Sequence, residues 1–147
     1  MAAATQQSAQ AITGAPLYET DHKPLTVLGI RPTGTLPVAG GETIDMVKVP
    51  AGARIIDAYM WCDANGYCDT VDLGLWRIDT DAVIDADGLI KTGVLGVAGF
   101  KGKWTGAAEE LLMGSLLAYD SYVRATFNTD KLTDACNFYV VVTYIMP

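Results

Sequence analysis

Few groups in this sequence could start a reaction. The one histidine, His22, sits in the turn-like stretch Glu19-Thr20-Asp21-His22-Lys23-Pro24, outside the regular strand pattern. A Ser-His-Asp or Cys-His device needs a positioned imidazole base, and only His22 could supply it, so no catalytic residue is assigned. The three cysteines, Cys62, Cys68 and Cys136, would make four zinc ligands with His22, but no Cys-x-x-Cys pair gathers them. An odd number of cysteines argues against a disulfide framework. Cys62 and Cys68 flank a turn that could bring them close, but all three are expected to be reduced and structural.

Residues 78–89, IDTDAVIDADGL, hold the strongest cation signal, with Asp79, Asp81, Asp85 and Asp87 in one stretch. Asp85-Ala86-Asp87-Gly88 resembles the middle of a calcium loop. With Asp85 and Asp87 at positions three and five, however, the first and twelfth positions fall on Val83 and Val94, where carboxylates are required. The sequence therefore assigns no metal and no cofactor. These four Asp are the residues that could gather a cation, and are otherwise a solvated loop between strands. Glu42, Glu109 and Glu110 form no marked pair for glycoside hydrolysis, and the glycines at 93, 96 and 99 lack the Lys-Ser/Thr of a phosphate loop. Tyr59, Trp61, Trp76 and Trp104 could form a sugar platform, but aromatics on strands more commonly fill cores and interfaces.

The elements that carry these residues read as strands. After the Pro50-Ala51-Gly52-Ala53 turn, Ile56, Ala58, Met60 and Cys62 share one parity and Asp57, Tyr59 and Trp61 the other. This period of two predicts a strand with one apolar and one mixed aromatic face. ETIDMVKV (42–49), DTVDLGLWRI (69–78), LLAYDSYVRATF (116–127) and NFYVVVTYI (137–145) read the same way, the last as a strand buried on both faces. Asn65-Gly66 between two such runs predicts a hairpin. GAAEELLM (106–113) fits either a short helix or a strand start. Short strands punctuated by glycine predict an all-β fold, a β-sandwich or jelly-roll-like barrel over residues 42–147.

Residues 1–41 differ. They hold four of the six prolines, Pro16, Pro24, Pro32 and Pro37, and only LTVLGI (25–30) reads as a strand. We expect an extended N-terminal arm that orders by lying on a neighbouring subunit; residues 1–20 either join it or form a disordered terminus. Within the arm, Lys23, Leu25, Val27, Leu28, Ile30 and Arg31 are the expected contacts to a neighbouring subunit, and Tyr59, Trp61 and Trp76 the expected oligomer interface. The first residues lack the basic and continuous apolar regions of a signal peptide, and no run is long enough for a membrane span. Half the residues are hydrophobic, 18% are charged, and the net charge is −7. Such an acidic chain is expected to bind neither nucleic acid nor membrane, and its apolar excess implies surface covered by other chains.

Three segments resemble small structural proteins of tailed-bacteriophage virions. ETIDMVKVPAGARIIDAYMWCD resembles their strand, Pro-Ala-Gly-Ala-like turn and second strand. TVDLGLWRIDTDAVIDADGL resembles the following "vdlG" strand and Asp-rich loop, and NFYVVVTYIMP their closing strand. The resemblance spans residues 42–147 and departs from the pattern at Trp76, where an aromatic follows the "vdlG" strand. It implies a non-enzymatic head decoration (cement) protein, assembled in the host cytoplasm onto the capsid exterior. Its partners would be the major capsid protein and its own copies, as a trimer. The alternative is a head-fibre or tail-associated module that binds host-surface glycans.

Overall fold

The computed structural model describes residues 6–7, 23–32, 39–62, 70–93, 99–103, 112, 114–128 and 136–147, with 6–7 and 99–103 described by their backbone. The strands are β1 (Gln6–Gln7), β2 (Leu25–Arg31), β3 (Thr43–Val49), β4 (Arg54–Cys62), β5 (Val71–Arg77), β6 (Val83–Gly93), β7 (Gly99–Lys103), β8 (Ser121–Phe127) and β9 (Phe138–Ile145). Among the described residues there is no helix.

The strands form two sheets, ordered β1-β3-β8-β5-β6 and β2-β9-β4-β7. Every pairing is antiparallel except the short parallel addition of β1 to β3. The pairings nest. β5 joins β6, β4 joins β7, β3 joins β8 and β2 joins β9. This is one long antiparallel ribbon rolled up so that alternate pairs fall in opposite sheets, the topology of a jelly roll. The expected all-β sandwich is the observed fold.

Between the sheets lies one apolar core. Ile44, Val47, Leu73, Leu75, Val123, Ala125 and Phe127 meet Ile55, Ala58, Met60, Phe138, Val140, Val142 and Tyr144, all fully buried. Phe127 and Phe138 touch edge to face at 5.6 Å across it. Two glycines are required by close backbone approach: a Cβ on Gly29 would overlap the Met46 carbonyl, and one on Gly74 the carbonyls of Asp85 and Ala86.

Four expectations change. First, residues 25–31, expected in the arm, form β2 and pair with β9 of their own chain along their whole length. The sandwich therefore begins before residue 42. Second, no hairpin joins β4 to β5. β4 pairs with β7 and β9 while β5 pairs with β6 and β8, so the two strands lie in different sheets; Asn65 and Gly66 themselves lie outside the described residues. Third, the Asp-rich stretch is a turn only to residue 82; Asp85 and Asp87 belong to β6, an irregular edge strand with repeated register shifts against β5. Fourth, Ile55 rather than Ile56 faces the core, because a bulge between Ile55 and Asp57 shifts parity and leaves Ile56 41% exposed. His22, Cys68, Trp104, Glu109 and Glu110, and residues 106–113 apart from Leu112, lie outside the described residues.

Candidate interaction face

In the β2-β9-β4-β7 sheet, parity sorts each strand into an inner and an outer row. Val27 and Arg31 of β2 point inward with Gly29, and Leu28 and Ile30 point outward. On β9, Tyr139, Val141 and Thr143 are outward; on β4, Asp57, Tyr59 and Trp61 are. The registers then align three cross-strand rows: Ile30–Tyr139–Trp61, Leu28–Val141–Tyr59 and Thr26–Thr143–Asp57. Two of the three rows are wholly apolar or aromatic.

The rings on this face order one another. Trp61 stacks on its cross-strand neighbour Tyr139 at 4.6 Å and 10°, and on Tyr59, two residues along its own strand, at 5.4 Å and 22°. Stacked pairs contribute about 0.5–1.5 kcal/mol each beyond the area they bury, so the slab is organised before any partner arrives. Beside it, Leu28 and Ile30 remain 44% and 39% exposed. Thr26 and Thr143 share a hydroxyl–hydroxyl hydrogen bond of 3.0 Å at the edge. Single exposed apolar side chains are ordinary on a soluble protein; here Leu28 and Ile30 stand side by side with the ring slab, which makes this face the candidate interaction surface.

The structure thus brings together Leu28 and Ile30 with Tyr59 and Trp61, which the sequence had assigned to separate contacts. It adds Tyr139, which sequence reasoning missed because NFYVVVTYI read as buried on both faces; Val141 shares the outward parity but is buried at 7% exposure, as that reading expected. Placing β9 between β2 and β4 would have found Tyr139.

The remaining expected contacts lie elsewhere. Arg31 is 2% exposed and its guanidinium donates to the Cys136 carbonyl at 3.5 Å, because its parity is that of Val27. It is not a surface cation. Leu25 packs against the core and Lys23 is exposed just ahead of β2. Trp76 is 3% exposed in the other sheet, under the Arg124 guanidinium at 4.9 Å, and so takes no part in the exposed face. Cys62 and Cys136 are buried as thiols.

The β1-β3-β8-β5-β6 sheet carries the charge. Arg124, 1% exposed, donates to Asp45 through Nε at 2.5 Å and Nη2 at 3.3 Å, and Nη2 also reaches Asp81 at 2.5 Å. Burial would lower the Arg124 pKa, but its hydrogen bonds to Asp45 and Asp81 outweigh that and hold it above the ordinary guanidinium value. Asp81 adopts the left-handed φ of 54° there, a conformation Asp tolerates better than most residues. Arg77 clasps Asp79 at 2.6 Å, which holds the Asp79 carboxyl below its ordinary range, and lies over the Tyr119 ring at 3.8 Å. Asp87 pairs with Lys91 at 3.3 Å. Burial, reinforced by hydrogen bonding to Asp87, pushes the Asp85 carboxyl above its ordinary value. Asp79, Asp81 and Asp87 therefore each face a cationic partner, while the Asp85 carboxylate accepts from the Asp87 backbone N–H at 3.3 Å. Among the described residues, no group of three or more His, Cys, Asp or Glu side chains is placed to hold a metal ion.

An open depression of about 310 Å³ is lined by Ala51, Ile78, Asp79, Ala118, Tyr119 and Asp120. Its two carboxylates are already engaged, Asp79 by Arg77 and Asp120 by the Ala51 backbone N–H at 2.8 Å. One face of the Tyr119 ring is covered by Arg77.

No family model and no curated protein matches the chain by sequence. Solved structures share its fold. A chain in the capsid of Ralstonia phage GP4 is similar over 99% of this chain and 99% of its own, with a TM-score of 0.76 and 17% identity. A chain of the cyanophage Pam1 capsid asymmetric unit is similar over 95% of this chain and 96% of its own, with a TM-score of 0.58 and 20% identity. These likenesses show a shared fold: the jelly roll described above is similar to chains of these two structures.

Proposed function

We propose that this chain is a structural protein of a bacteriophage virion, a decoration or cement subunit that self-associates, as a trimer, on the outer surface of the head and stabilises it. The observation that carries the reading is the end-to-end likeness to a chain of the Ralstonia phage GP4 capsid. Two physical features support it. The fold is rigid and closed around one core. Among the described residues Arg77–Asp79, Lys91–Asp87 and Arg124 with Asp45 and Asp81 are local pairs rather than groups converging on a pocket, which suits a building block without enzymatic activity. The segment N-terminal to β2 is the proposed clamp to the capsid or to a neighbouring copy.

The glycan-binding alternative is less well supported by the aromatic face. A sugar platform needs an open ring face, and here Trp61 is stacked against both Tyr59 and Tyr139. The test is reconstitution. Purified protein added to heads that lack it should bind to saturation at a fixed ratio to the major capsid protein and raise the temperature at which the heads release DNA. Absence of binding at micromolar concentration refutes the reading.

A further inference from the structure

The two outer faces of the sandwich differ in charge, and the difference selects a partner. Asp45, Asp72, Asp79, Asp81, Asp85, Asp87 and Asp120 belong to the β1-β3-β8-β5-β6 sheet or to the turns beside its strands, against Lys48, Arg77, Lys91 and Arg124, which leaves that side net acidic. Between β2 and β4 the opposite face carries two described charges of opposite sign, Asp57 and Arg54, both at the end of its rows away from Trp61. The chain as a whole has a net charge of −7. Two copies approaching through their acidic faces would repel at every ionic strength short of full screening. Through the Leu28, Ile30, Tyr59, Trp61, Tyr139 and Val141 face they would not.

A basic partner would be matched instead by the acidic sheet, since complementary potentials favour both encounter and register. A net-neutral aromatic face wastes that attraction, whereas to a chain that must meet its own like-charged copy it offers contact without that repulsion. The aromatic composition is that of an interface core, where Tyr and Trp are enriched and Asp, Glu and Lys depleted. From this partition we infer that the Leu28/Ile30/Tyr59/Trp61/Tyr139/Val141 face is the seam between copies of this chain, and that the acidic sheet is left facing outward from that seam. The inference rests on the self-association in the proposed function and gives it a surface.

The seam is tested on isolated protein, without particles. Leu28→Glu and Ile30→Glu change exposed outward side chains, so the sandwich is expected to survive, with unaltered circular dichroism. Ile84→Glu, at a 36% exposed position on β6 of the other sheet, is the matched control. Sedimentation velocity should show oligomer for the wild type and Ile84→Glu. Leu28→Glu and Ile30→Glu should be shifted to monomer, with dissociation constants raised roughly 100-fold or more, as expected when like charges are forced together in an interface. Hydroxyl-radical footprinting of the wild type gives a readout independent of any variant: Tyr59, Trp61 and Tyr139 should be protected at high concentration and modified on dilution. Unchanged oligomers in both glutamate variants, or aromatic labelling that ignores concentration, overturn the seam. A wild-type monomer that still binds heads, and loses binding on Ile30→Glu, also overturns it, by making the face a capsid footprint while leaving the virion role standing.

Discussion

Arg124→Met should be among the most damaging single substitutions available in this chain. Arg124 and Asp45 are each about 1% exposed, and the Arg124 side chain makes two hydrogen bonds to the Asp45 carboxylate, one to Asp81, and lies over the Trp76 ring at 4.9 Å. Methionine keeps the volume and the contact with Trp76 but leaves the Asp45 carboxylate buried without its cation. Breaking a buried pair from one side costs about 3–5 kcal/mol. Domains of this size are commonly stable by only about 5–15 kcal/mol, so roughly a fifth or more of the total is at stake, and the midpoint should fall by roughly 10 °C. Asp81, whose side chain is 30% exposed, can turn to water and adds less. Thermal and urea unfolding of the wild type, Arg124→Met and the pair Arg124→Met/Asp45→Leu measure it. The double variant should recover most of the loss, because removing both charges also removes their desolvation. A loss under about 1 kcal/mol for Arg124→Met would refute the reasoning, as would a double variant no better than the single one.

Gly74→Ala should destabilise by about 1–3 kcal/mol, since its Cβ would overlap the Asp85 and Ala86 backbone and force β6 away from β5; a urea midpoint matching the wild type would contradict this. Asp85→Asn should stabilise slightly at neutral pH, by under about 1 kcal/mol once solvent screening is allowed for. The sign follows from the raised carboxyl pKa: the ionised form is disfavoured in the folded state, so the cost is full above the folded pKa and vanishes as pH falls below the ordinary Asp value near 3.8. The stability gap between Asp85→Asn and wild type should therefore close on acidification, and a gap that widens would be the wrong sign. Deleting residues 1–22 removes β1 but keeps β2, so the sandwich should persist by circular dichroism while binding to heads is lost; full binding by the truncated protein would show the segment to be passive.

The strand content was legible because most strands follow one rule, alternation of apolar and polar side chains with proline or glycine at their ends. β3, β4, β5, β8 and β9 could each be placed from their own residues. What could not be read was which strand lies beside which. LTVLGI has the composition of an edge or arm strand, and only its register with Tyr139–Tyr144 shows that Val27 and Arg31 face a core of the same chain. Asn65-Gly66 is a strong local turn signal, yet in a jelly roll the next strand enters the other sheet, a choice made by long-range packing. The bulge after Ile55 inverted the parity of one residue, and no local signal marks it. The interaction face suffered similarly. Tyr59 and Trp61 were identifiable as outward aromatics, but Trp76 has the same composition and neighbours; its burial follows from Arg124 lying across it, forty-eight positions away in the chain by number. Arg124 and Asp45 drew no notice because each reads as an ordinary polar residue in an alternating strand.

The central claim is that this chain is an assembled part of a virion. Quantitative mass spectrometry of gradient-purified particles, with labelled peptides of this chain and of the major capsid protein as standards, tests it most directly. The account predicts a constant molar ratio between the two across preparations, with the chain accessible to protease or antibody on intact heads. Absence of the chain from purified particles, or a trace amount that varies between preparations, would contradict it.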